Sequence, residues 1–165
     1  MARFVEDVDR GYLALRKRWR RLALNDEIVD AGIVGKRAQT QHPESDLTVA
    51  EIGAVHEFGT EDGRVPARSF IRSTFDKNRK KYRNLTRRIG QKVEKDQMSK
   101  RQALNLFGTI LRDDMIDTIN QNIPPPLKPR TLKKKEKNGK AGNVALVDTG
   151  LLKASIDFEV RKPRT

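Results

Sequence analysis

ALNLFGTILRDDMIDTI, residues 103–119, is the stretch that decides the fold. Ala103, Leu106, Phe107, Ile110, Leu111, Met115 and Ile119 recur every three or four residues. That period places them on one face of a helix. No other segment carries so wide an apolar stripe, so this helix is the expected core element. Two short segments at opposite ends of the chain are suited to cover it. Ile28, Val29, Ala31, Ile33 and Val34, with Gly32 and Gly35, read as a strand. Ile156, Phe158 and Val160 alternate with Asp157 and Glu159, the pattern of a half-buried closing strand. The expectation is one sheet holding strands 28–35 and 156–160, with the helix of residues 104–119 packed on it. The fold class that follows is α+β: a small mixed sheet packed by long amphipathic helices, with an N-terminal helix and a mobile basic arm.

The remaining elements fall around this core. Val5, Val8, Tyr12, Leu15, Trp19 and Leu22 form a narrow heptad-like stripe, so residues 4–24 read as a helix. Asn25 and Asp26 break it. Residues 36–46 read as a polar loop without packed structure. A short helix follows, with Leu47, Val49, Ile52, Val55 and Phe58 as its apolar positions. Ser45 or Asp46 is the expected cap, with Glu51 in an early turn, and Gly59 ends the helix. Glu61-Asp62-Gly63 is a turn, and Pro66 holds residues 65–71 as a linker. Phe75, Tyr82, Leu85, Ile89 and Val93 then mark an amphipathic helix with a cationic outer face. A break at residues 97–99 separates it from the core helix, which ends at Asn122-Ile123-Pro124-Pro125-Pro126. Residues 128–143 are rich in Lys, Gly and Asn and read as a mobile arm. Order returns near Leu146, with Asp148-Thr149-Gly150 as a turn or helix cap. The whole is one domain over residues 1–165: helix 1–24, core 28–121, extended or flexible arm 122–145, and closing segment 146–165.

The chain has 165 residues, 35 Lys and Arg against 22 Asp and Glu, and a net charge of +13. No run approaches the length of a membrane helix. Charged residues from Arg3 to Arg10 interrupt any signal-peptide core. With no cysteine, disulfides, thiolate metal sites and Cys nucleophiles are excluded. The expected class is a soluble, basic, intracellular domain with anionic partners or one strongly basic face. The excess charge sits in three places: Arg16 to Arg21 around Trp19, residues 68–95, and residues 128–140. The second holds eleven cations against Asp76 and Glu94. Arg79, Lys80, Arg83, Arg87 and Lys95 fall outside its apolar stripe, and they are the candidate DNA-facing residues. Such a surface binds phosphates largely without regard to sequence.

No catalytic, cofactor or metal residues are expected. His42 lies in a polar loop. His56 ends a helix, where a positive charge is favoured. Glu51, Glu57, Asp113, Asp114 and Asp117 form no convincing metal set, and Asp113 and Asp117, one turn apart, read as the solvent side of an amphipathic helix. Nucleophile-elbow and phosphate-loop patterns are absent.

Four pieces of the chain carry a resemblance. They are Ile52-Gly53-Ala54-Val55-His56-Glu57-Phe58-Gly59-Thr60; Val65-Pro66-Ala67-Arg68-Ser69-Phe70-Ile71-Arg72; Pro126-Leu127-Lys128-Pro129-Arg130-Thr131-Leu132-Lys133; and residues 146–156, LVDTGLLKASI. In this order they resemble the tail-completion and neck proteins of tailed bacteriophages, including the virion morphogenesis proteins of Mu-like phages. The likeness covers residues 47–156 and leaves out the N-terminal helix.

The resemblance implies a non-enzymatic structural protein at the head–tail junction or tail end of a virion. Such a protein forms a homo-oligomeric ring with sixfold symmetry and resides in the host cytoplasm during assembly. It would complete or terminate the tail and join it to the head connector. Its partners would be tail-tube, tail-terminator or connector proteins, with genomic DNA passing through the lumen. Phe58, Gly59, Thr60, Pro66, Arg68, Phe70, Arg72, Asp148, Thr149 and Gly150 would then form the partner-binding set. Arg68 and Arg72 would offer donors to a carboxylate or a backbone. The alternative drawn from charge alone is a basic nucleic-acid-binding protein without enzymatic activity.

Overall fold

The computed structural model describes residues 13, 16, 27–43, 45–137, 146 and 150–163. Strand β1, Ile28–Ile33, pairs antiparallel with strand β2, Ile156–Arg161. The register sets Ile28 opposite Arg161 and Ile33 opposite Ile156. Arg161 also ties the strands by a 2.5 Å ion pair to Asp30. Among the described residues the sheet has these two strands alone, so it is antiparallel rather than mixed. Between the strands run helices α1 (Val49–Phe58), α2 (Phe70–Glu94), α3 (Lys100–Asn120), α4 (Pro129–Lys137) and α5 (Leu151–Ala154). The fold is α+β, as the patterning indicates.

Helix α3 is central. It packs on both strands and, beside them, on α2. A helix covered on two sides needs a wide apolar stripe, which is why residues 103–119 carry the broadest one. Its buried positions are Ala103, Gly108, Leu111, Met115, Thr118 and Ile119. Gly108 lets β2 approach: a Cβ there would lie 2.2 Å from the Phe158 ring. The stripe is offset from its sequence reading, because Leu106 is exposed. The core gathers Val49, Phe70, Met115, Ile119, Leu146, Leu152 and Ile156. The hydroxyls of Thr74 and Thr118 meet at 2.7 Å between α2 and α3. Lys81 and Asp114 pair across the same seam at 2.6 Å. Asp114 is therefore a bridge between helices.

Several boundaries differ from expectation. Residues 36–46 are not a bare loop: Lys36–Gln39 form a 3₁₀ turn, and Gln41 pairs with Thr48. The cap of α1 is Thr48, not Ser45 or Asp46. Thr48 and Glu51 form a reciprocal capping box, with Glu51 Oε2 accepting the Thr48 N–H at 2.7 Å. Leu47 and Phe58, expected to pack, are exposed. Phe75 is exposed on α2 as well, although its ring meets Tyr82 edge-on at 5.5 Å. The larger correction concerns the arm. Residues 129–137 are helical, with Pro129 as the first helical residue and a run of good helix formers behind it. Charge density does not forbid a helix when one side chain, here Lys135, lies against the body. Residues 138–143 of the expected arm lie outside the described residues. So does the N-terminal helix, apart from Leu13 and Arg16, both helical and exposed.

Candidate functional site

The α1–α2 junction is built on one buried carboxylate. The first turn of any helix leaves N–H groups without partners. Ser69, the residue before α2, makes no side-chain bond to them. Glu57, from the end of α1, takes that place. Its carboxylate accepts the Ser69 hydroxyl at 2.5 Å, the Ile71 N–H at 2.9 Å and the Arg72 N–H at 3.0 Å. Glu57 is only 5% exposed, so this is an interior contact. A negative charge at this position also suits the positive end of the helix dipole.

Gly59 lets the chain turn there. Its φ of 79° and ψ of −179° lie where glycine alone rests without strain. A Cβ on it would stand 2.8 Å from the Ala67 nitrogen. The turn closes with Thr60, whose N–H donates to the Val65 carbonyl at 3.0 Å and whose hydroxyl donates to Asp62 at 2.6 Å. Pro66 lies half-buried beside it.

Arg68 completes the junction. Its backbone N–H donates to the His56 carbonyl at 2.7 Å. Its Nε donates to the Pro125 carbonyl at 2.8 Å and its Nη2 to the Pro126 carbonyl at 3.3 Å. Arg68 is 5% exposed and Phe70 is 0% exposed. Neither is available to a partner, which corrects the expectation for both. Arg68 does bind backbone, but that of its own chain. Phe70 anchors the core.

The four sequence pieces, far apart in the chain, therefore meet. Glu57 and Gly59 belong to the first, Arg68 and Phe70 to the second, and the Pro126 carbonyl to the third. Gly150, from the fourth, caps α5 in a left-handed conformation, and Leu152 then packs near Gly53 of α1. Asp148 and Thr149 lie outside the described residues. At the surface of this junction stand Phe58, 71% exposed, and Arg72, also exposed. These two are the members of the expected set left open to a partner.

The second face is the outer side of α2. Arg79, Lys80, Arg83, Arg87 and Lys95 are all exposed. Among the described residues none of them joins an ion pair. Lys77 and Lys81 instead turn toward α3, to Gln121 and Asp114. The cations thus include an inward pair that fastens the helices and an outward row that joins no ion pair among the described residues.

His56 behaves differently from a cationic helix-end residue. Burial, and then the Arg68 guanidinium, lower its pKa below 6.5, and its Nδ1 has no hydrogen-bond partner. The folded state therefore holds His56 neutral more strongly than the unfolded chain does. Its contribution is complete above pH 6.5 and is lost as pH falls through that value toward the folded pKa. His56→Asn is expected to flatten the loss of melting temperature on acidification below pH 6.5. Thermal scans of both proteins across pH check this.

Among the described residues no group of three His, Asp or Glu side chains is placed to hold a metal ion. No helix among them is long and apolar enough to cross a membrane. No protein-family model, no curated protein and no solved structure matches the chain.

Proposed function

We propose that this chain is a structural, non-enzymatic subunit of the neck or tail end of a tailed-phage virion, working as a homo-oligomeric ring. In that role it completes or terminates the tail and joins it to the head connector. The observation that carries the reading is the junction itself. Three of the four sequence pieces that resemble the neck and tail-completion proteins meet around Glu57 and Arg68, the fourth packs on α1 through Leu152, and this frame presents an exposed aromatic, Phe58. Exposed aromatics on preorganised frames are the usual anchors of protein interfaces. Tail-tube, tail-terminator or connector proteins, and the next subunit of the ring, are the partners this reading calls for. Phe58→Asp tests it. The substitution is at an exposed site, so stability should change by only about 0.5 kcal/mol. Assembly should nonetheless be lost, as read by native mass measurement beside the unchanged chain.

The exposed cationic row on α2 favours a second reading, a basic nucleic-acid-binding protein acting as a single chain or dimer. The two readings part on the triple reversal Arg79→Glu, Arg83→Glu, Arg87→Glu. In a ring whose lumen meets DNA, the variant should fold and still form rings, but fail to join heads to tails or to retain DNA. In a free DNA-binding protein, it should abolish binding and flatten its salt dependence.

A further inference from the structure

A groove of ≈ 1080 Å³ runs between β1, the second half of α2 and the start of α3. Its floor is apolar: Ile28, Val29, Ile89, Val93, Leu104 and Phe107. Glu27, Glu94, Arg83 and Arg87 stand on its rim. We propose that this groove is the seat of the chain's own residues 1–24, docked as an amphipathic helix parallel to α2. The proposal does not depend on the virion role.

Continuity is the first argument. Residues 17–26 lead directly into Glu27, which itself lines the groove and is pinned to α3 by a 2.8 Å ion pair with Arg101. A segment tethered at the mouth of its site by a two-residue break has an effective concentration near millimolar or above. A second copy must compete with that.

Length is the second. Along α2 the groove extends from Arg83 to Glu94, roughly 16 Å of helix at 1.5 Å per residue. Tyr12, Leu15, Trp19 and Leu22 span about 15 Å on the same measure. Their spacing gives one continuous apolar edge. Leu13 and Arg16 fall off that edge, and both are exposed.

Charge fixes the direction. With the segment leaving from Glu27, the cations Arg16 to Arg21 lie at the end of the groove that holds Glu27 and Glu94. Glu6, Asp7 and Asp9 are carried toward Arg79, Lys80 and Arg83. The reverse orientation would oppose like charges at the Arg79–Arg83 end; at the other end Lys100 stands beside Glu27 and Glu94.

Trp19 is the chain's only tryptophan, so its fluorescence reports the segment alone. The test compares the full chain with Gly90→Lys. Gly90 lines the groove, and a Cβ there meets nothing within 4 Å. The lysine is therefore compatible with the fold but fills the seat; circular dichroism checks that α2 and α3 persist. The expected result is blue-shifted Trp19 emission, protected from acrylamide, that becomes red-shifted and quenchable in Gly90→Lys. It should also be unchanged on dilution to concentrations where sedimentation shows single chains. Solvent-like emission in the unchanged chain would overturn the proposal. So would protected emission indifferent to Gly90→Lys, which would put the segment elsewhere. Protection lost on dilution would assign the groove to a second copy and overturn docking within one chain.

Discussion

Glu57→Ala is expected to remove on the order of 3–5 kcal/mol of stability, the largest loss of any single polar substitution described above. The loss comes from three donors stranded at once: the Ser69 hydroxyl and the N–H groups of Ile71 and Arg72. Each hydrogen bond to a charged group contributes about 1.5–3 kcal/mol, and the three are not independent. The helix-dipole interaction alone would account for about 0.3–1 kcal/mol, so the direct bonds decide the magnitude. Against a total stability of about 5–15 kcal/mol, the variant is left marginal. Urea unfolding should show a large fall in midpoint, with hydrogen exchange accelerated first at Ile71 and Arg72. Glu57→Gln keeps an acceptor oxygen and should fall between the two. A midpoint for Glu57→Ala close to that of the unchanged chain would mean Glu57 is not the cap of α2.

Gly59→Ala should be nearly as costly, for a different reason. The backbone there lies in the region reserved for glycine, which costs another residue about 1–3 kcal/mol. The new Cβ also meets backbone rather than a yielding side chain: the Ala67 nitrogen at 2.8 Å and the Val65 carbonyl oxygen at 3.1 Å. Overpacking of this kind costs a further ~1–3 kcal/mol. Gly63→Ala separates the two effects. Gly63 also has a positive φ, 66°, but a Cβ there meets nothing within 4 Å. That variant should show the strain without the collision. Equal losses in the two variants, measured by denaturant unfolding, would refute the close approach of Gly59 to Ala67.

Both substitutions fall on a junction that the sequence indicates only in outline. The apolar period of residues 103–119 and the alternation of residues 156–160 are local signals, and they place the core helix and the two strands correctly. The cap of α1 is misplaced at Ser45 or Asp46 by that reading, although Thr48-Val49-Ala50-Glu51 has the spacing of a capping box. The same spacing, Ser99 to Gln102, opens α3. Helix α4 was hidden by its charge, although Pro129 at its first position is a start signal. Glu57 and Arg68 could not be read at all. Glu57 meets donors twelve to fifteen residues away, and Arg68 meets carbonyls more than fifty residues away. Such pairings follow from how α1, α2 and the loop after α3 converge in space, which no local pattern encodes. The same convergence turns two expected partner contacts, Arg68 and Phe70, into internal ones and leaves Phe58 and Arg72 at the surface.

The proposed role requires this chain to assemble into a ring. Native mass spectrometry of the purified, unmodified chain, with negative-stain imaging of the same sample, tests it most directly. The account predicts a closed assembly of sixfold symmetry with an open centre. A chain that stays single or dimeric at every concentration, and binds duplex DNA in that state, would contradict it.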